Sequence, residues 1–132
     1  MNVIADTNVL IRSAVRDDAQ QARISDQILD SAAQVVLTLP CLCEFVWVLR
    51  RSYRFSRPEI VNALTKLLNT SKMIMDRNAV EAGIATLSSG ADFADGVIAY
   101  EGQWLGGEVF VSFDKKATAL LSKQGYKAKL LA

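Results

Sequence analysis

A chain of 132 residues with 15 basic and 14 acidic side chains and 51% apolar residues is long enough to bury the core of one globular domain. Two prolines, seven glycines and a charged fraction of 22% exclude a disordered or low-complexity chain. The absence of histidine excludes Ser-His-Asp and Cys-His hydrolases, histidine-based ribonucleases and nearly all zinc enzymes, so acid–base or metal chemistry must run on carboxylates.

In chain order, Met1 to Ala5 is a short apolar run with β-branched Val3 and Ile4, and reads as a buried parallel strand. Asp6 stands at its carboxyl end, where open α/β sheets bind ligands. It is either a ligand-facing carboxylate or simply the cap of the next helix. That helix carries Val9, Leu10 and Ile11, with Thr7 or Asn8 as alternative caps. A second helical stretch covers about 18–32, QVVLTL reads as a strand, and Pro40 suits the first turn of a helix reaching about Arg51. SRPEIVNALTKLLN is an amphipathic helix entered at Ser56 or Arg57. KMIMD is a short strand, and Asn78 to Ser88 a helix. GADFADGVIAYEGQWL opens on a turn glycine and continues as a helix with a Phe93, Val97, Tyr100 and Trp104 stripe. EVFVSF is a strand, DKKATALLSKQG a helix ended by Gly125, and the tail an edge strand. The expected fold class is α/β: one domain over 1–132, a three-layer sandwich with a central, mostly parallel sheet of about five strands.

No run approaches a membrane span, and Asp6 interrupts the only N-terminal apolar stretch, so the expectation is a cytoplasmic chain without a secretory segment. Cys41 and Cys43 are too close for an ordinary disulfide and too few for a zinc site, and read as buried free thiols. The basic residues group as Arg50, Arg51, Arg54 and Arg57, and as Lys115, Lys116, Lys123, Lys127 and Lys129. Such groups are often only solvated faces.

Four carboxylates stand in unusual places. Asp114 repeats the position of Asp6, after an apolar strand and before a helix; if the two strands are neighbours, both carboxylates share one crevice. Glu44 is the only charge between Gln34 and Leu49, on a helix expected to be buried on most sides, where an unpaired carboxylate costs several kcal/mol. Asp92 and Asp95 lie opposite the aromatic stripe. Asp92 reads as the helix cap, and Asp95, among Ala94, Gly96 and Ala99, has room beside it. An acidic pocket from separated segments is the ligand set of hard divalent cations.

ADTNVLIR, CEFVWVL, ADFADGVIA and VSFDKKA resemble, in order and spacing, the four acidic motifs of PIN domains, over nearly the whole chain. The chain looks most similar to VapC-type toxins of prokaryotic toxin–antitoxin pairs. The resemblance implies an endoribonuclease dependent on Mg²⁺ or Mn²⁺, with Asp6, Glu44, Asp95 and Asp114 as its acidic residues. Asp6, Asp95 and Asp114 would hold the metal, with Asn8, Ser112 and Asp92 in support. It also implies products with 5′-phosphate and 3′-hydroxyl ends, structured RNA (tRNA among them) as substrate, and a DNA-binding antitoxin that blocks the acidic pocket. A groove at Trp47, Leu49, Tyr53 and Phe55 is the expected place for that partner, and a homodimer is expected too. Arg50, Arg51, Arg54, Lys115 and Lys116 are candidate RNA contacts. The alternatives are a Mg²⁺-binding receiver domain, in which Asp76 and Lys115 would matter, a phosphatase-like α/β domain, and a non-catalytic binding module whose acids are only caps.

Overall fold

The computed structural model describes residues 1–132 and divides into two compact units, Met1–Asp76 and Arg77–Ala132. In the first, β1 (Asn2–Ile4) leads into α1 (Thr7–Val15) and α2 (Ala19–Ser31); β2 (Gln34–Val36) leads into α3 (Leu39–Arg51) and α4 (Arg57–Leu68), and β3 (Met73–Ile74) closes the unit. The strands form one parallel sheet in the order β1-β2-β3, with Val3 beside Val35 and Val35 beside Met73. Helix α1 lies against α2 and α3. The core of the unit is Leu10, Ile11, Val35, Leu42, Phe45, Leu49, Ile60 and Leu64.

In the second unit, α5 (Arg77–Ser88) and α6 (Phe93–Trp104) form an intimate pair, β4 (Phe110–Ser112) and β5 (Ala128–Leu130) a parallel two-stranded sheet, and α7 (Lys115–Lys123) joins them. The α5–α6 contact depends on two glycines. A Cβ on Gly96 would strike the Ala82 carbonyl, and one on Gly83 would meet the Phe93 ring at 2.6 Å. Thr86, fully buried, donates its hydroxyl to the carbonyls of Gly83 and Asp92 at 2.9 and 3.0 Å, tying α5 to the entry of α6.

The expected central sheet of about five strands, and with it the three-layer sandwich, is not formed. The protein is helix-rich, with seven helices and two small parallel sheets of three and two strands. The shortness of the strands has a local cause. Helix starts follow four of the five apolar runs so closely that only two or three residues remain in each of those strands. Thr38 accepts a hydrogen bond from the Cys41 N–H at 3.3 Å and Pro40 occupies the first turn of α3, which clips QVVLTL to Gln34–Val36. Asp114 does the same to EVFVSF. Helix α4 begins with a capping box, Ser56 N–H to Glu59 Oε1 at 2.8 Å and Glu59 N–H to Ser56 Oγ at 3.2 Å. The turn after α7 uses Gly125 at φ 96°. No helix is long and apolar enough to cross a membrane.

Candidate functional site

The Met1–Asp76 unit carries Asp6, Asn8 and Glu44. Asp6 occupies the N-cap position of α1, with φ −76° and ψ 156°, but its carboxylate makes no capping hydrogen bond; only its carbonyl is engaged, by the Val9 N–H at 3.0 Å. Neither Thr7 nor Asn8 is the cap residue. Thr7 is buried within the first turn, and its side chain hydrogen-bonds Cys41 on α3. Burial pushes the Cys41 thiol pKa up, the Thr7 hydrogen bond opposes that, and the charges of Asp6 and Glu44 push it further up. Asp6 and Glu44 thus share the electrostatic surroundings of one buried thiol.

Glu44 is exposed, contrary to the expectation of a largely buried helix. Cys41, Leu42, Phe45, Val46 and Leu49 turn inward, whereas Glu44 and Trp47 share the solvent face, so no desolvation cost demands a cation at Glu44. Asn8 is also exposed, and lines a shallow cleft with Val9, Arg12, Gln21, Ile24 and Ser25. Of the expected partner groove, Leu49 is fully buried, Tyr53 and Phe55 are half-buried, and Trp47 alone is exposed. Tyr53 donates its hydroxyl to Asp17 Oδ2 at 2.9 Å. Phe55 lines a separate cleft of about 430 Å³ with Leu10, Leu29, Phe45, Ala63 and Leu67.

The Arg77–Ala132 unit carries Asp92, Asp95, Ser112 and Asp114. Asp92 is the N-cap residue of α6, and Asp95 completes the capping pair by accepting the Asp92 N–H on Oδ2 at 3.4 Å. Asp95 is half-buried, and its pKa lies above the ordinary carboxylate value. Burial is the main cause; the Asp92 N–H acts against it, and the charges of Asp92 and Asp114 add to it. Asp92 and Asp114 thus both lie within electrostatic reach of Asp95. The small residues around Asp95 have another use than making room: Gly96 is pressed against the α5 backbone, and Ala99 is buried.

Asp114 is a working cap. Its Oδ1 accepts the N–H groups of Lys116 and Ala117 at 2.9 and 3.0 Å, while Ser112 Oγ accepts the Asp114 N–H at 2.9 Å and sets the turn. Lys115 and Lys116 open α7 and are exposed. Asp95 and Ser112 face a cleft of about 430 Å³ with Ile98, Gln103, Val111 and Lys127. Lys127 is a residue that sequence reasoning placed only in a basic group. The ladder between β4 and β5, with the Phe110 N–H on the Lys127 carbonyl at 2.8 Å, puts it beside Asp95's cleft.

Trp104, expected in the apolar stripe of α6, is exposed and donates its indole N–H to the Tyr100 hydroxyl at 2.9 Å. Neither cysteine is in a disulfide; Cys41 is buried and Cys43 half-buried. No group of three or more His, Cys, Asp or Glu side chains is gathered so as to hold a metal ion. The donors are nonetheless hard oxygens, with Asp92 and Asp114 near enough to act on Asp95, and Mg²⁺ is commonly bound through only one or two carboxylates, water supplying the other positions. The residues present fit such an ion by their chemistry. The chain matches no model of a known protein family, and no curated protein sequence matches it significantly.

Proposed function

We propose that this protein is an endoribonuclease dependent on Mg²⁺ or Mn²⁺ and acts as the toxin of a toxin–antitoxin pair. The observation that carries the reading is Asp95, a half-buried carboxylate whose ionisation is opposed by burial and by Asp92 and Asp114. A divalent cation relieves that opposition. Asp95 and Asp114 would hold it, Asp114 through Oδ2 because Oδ1 caps α7, and Asp6 is the corresponding candidate in the Met1–Asp76 unit. When bound, such an ion supplies an activated water and stabilises a departing oxygen. Lys115 and Lys116 bind backbone phosphates. Two cations at the positive end of a helix dipole work against the helix, so their placement favours an external anion. The cleft lined by Leu10, Leu29, Phe45 and Phe55 takes apolar side chains of an amphipathic antitoxin segment, whose arginines pair with the carboxylates.

RNA ends are sequenced after brief expression of the wild type and of Asp6→Asn. The reading predicts new 5′-phosphate ends with the wild type alone, activity lost in EDTA and restored by Mn²⁺, and co-purification with the neighbouring gene product. Cleavage that survives chelation, or 2′,3′-cyclic phosphate ends, would sink it. The second reading is a non-catalytic binding module. It is favoured by the capping bonds of Asp114 and of the Asp92–Asp95 pair, and predicts no saturable Mn²⁺ site in a titration of the metal-free protein.

A further inference from the structure

We propose that the solvent face of α3 is a stacking platform for an unpaired base of single-stranded RNA, with Trp47 as the stacking surface and Arg50, Arg51 and Arg54 as its phosphate contacts. The inference rests on the endoribonuclease reading for the class of ligand, and adds how that ligand is held. Trp47 is 58% exposed, and the Arg51 guanidinium lies 5.4 Å from the centre of its ring, so a cation already stands beside the indole. Arg50 and Arg54 are exposed on either side of Arg51 in sequence, and the ion pairs Arg12–Asp17 and Arg16–Asp26 do not involve any of the three.

Arg54 is held at φ 56°, in the left-handed region where glycine is the ordinary occupant, within a turn closed by the Phe55 N–H on the Leu49 carbonyl at 2.9 Å. A cation thus stands at a position whose backbone favours glycine. Glu44, one of the two carboxylates whose charge acts on Cys41, lies three residues before Trp47 on the same exposed face, so it adjoins the platform. An aromatic face beside a row of cations matches a single strand, whose bases stack while its phosphates are neutralised. An arginine-bearing protein segment meets like charge here.

Binding is measured in EDTA, which removes the metal that water-driven cleavage needs, on a 2′-O-methyl oligonucleotide, which lacks the nucleophile of 2′-hydroxyl-driven cleavage. A Trp104→Phe background leaves Trp47 as the sole tryptophan. Addition of a single-stranded ten-mer should quench its fluorescence, and an abasic ten-mer of equal charge should not. Trp47→Ala should weaken binding of the intact strand by about tenfold and leave the abasic strand within about twofold, with Trp47→Phe restoring most of the loss. Arg54→Gly, which suits the backbone, should weaken both strands and lower the salt slope by about one. Equal effects of Trp47→Ala on both strands, or no quenching, would overturn the proposal. So would a fall of Trp47→Ala from dimer to monomer with RNA affinity unchanged, or retained RNA affinity with loss of the co-purifying protein. Stacking without cleavage would count against the nuclease reading alone.

Discussion

The carboxylates that the sequence presents as equivalent do different work. Asp95 is disfavoured as an anion, Asp114 accepts two backbone N–H groups, and Asp6 occupies a cap position without capping. If Asp95 and Asp6 serve catalysis, Asp95→Asn and Asp6→Asn should each lower RNA cleavage at least about a hundredfold, and Asp92→Asn much less, in single-turnover assays. A larger loss for Asp92→Asn than for Asp95→Asn would reverse the roles on α6. In EDTA, Asp95→Asn should melt no lower than the wild type, because the amide removes a repelled charge and still accepts the Asp92 N–H. Asp114 separates two substitutions. Asparagine caps nearly as well as aspartate, so Asp114→Asn should leave the melting temperature almost unchanged, whereas Asp114→Ala should cost about 1 kcal/mol. Equal melts for the two would mean that the bonds to Lys116 and Ala117 contribute little.

At the scale of elements, the α5–α6 pair is held by close backbone approach rather than by large side chains. Gly96→Ala should therefore destabilise by about 1–3 kcal/mol, since the new methyl meets the fixed Ala82 carbonyl and not the end of a flexible chain. Gly102→Ala, on the same helix with open space around it, should be neutral or stabilising, because alanine is the better helix former. Thermal melts of the two variants check this directly; similar losses would mean that helix propensity, not the contact with α5, is being measured. The sequence ADFADGVIA contains both the capping pair and the contact glycine. Its small residues therefore read as space beside a carboxylate until the position of α5 is known.

Across the whole molecule, acid should act in opposite senses on the surroundings of Asp95 and on those of Asp17, Asp26 and Glu59. In the first, Asp17 lies below its ordinary pKa chiefly through the Tyr53 hydroxyl, Asp26 through Arg16 and Glu59 through the Ser56 backbone N–H. A depressed carboxylate contributes stability above its unfolded pKa and loses it as the pH falls through the folded value, here at pH about 4 and below. Asp95 has the reverse sign. Its raised folded pKa gives a contribution fully present below its unfolded value, and lost as the pH rises through the folded one. Residue-resolved amide exchange from pH 7 to pH 3 should show protection around Asp95 holding or rising at first, while residues around Asp17, Asp26 and Glu59 lose protection below about pH 4. Loss around Asp95 first would contradict the assigned signs.

The sequence by itself determined the order of the elements and the approximate extent of the helices. Thr38 with Pro40, Ser56 with Glu59, and Gly125 act within one or two turns of chain, where hydrogen-bond geometry depends only on near neighbours. It also placed the carboxylates at strand ends and helix starts, because Asp6 and Asp114 each follow an apolar run directly. Strand partners and burial were decided by the tertiary structure. Five short apolar runs are compatible with one sheet or two, and only long-range pairing made them β1-β2-β3 and β4-β5. Glu44 looked buried because its neighbours are apolar, but which side of α3 meets solvent depends on where α1 and α4 pack. The raised pKa of Asp95 likewise comes from its burial and from Asp114, nineteen positions further along the chain. Capping is a local matter, whereas desolvation and charge repulsion act through space, and their sources are fixed only when distant segments meet.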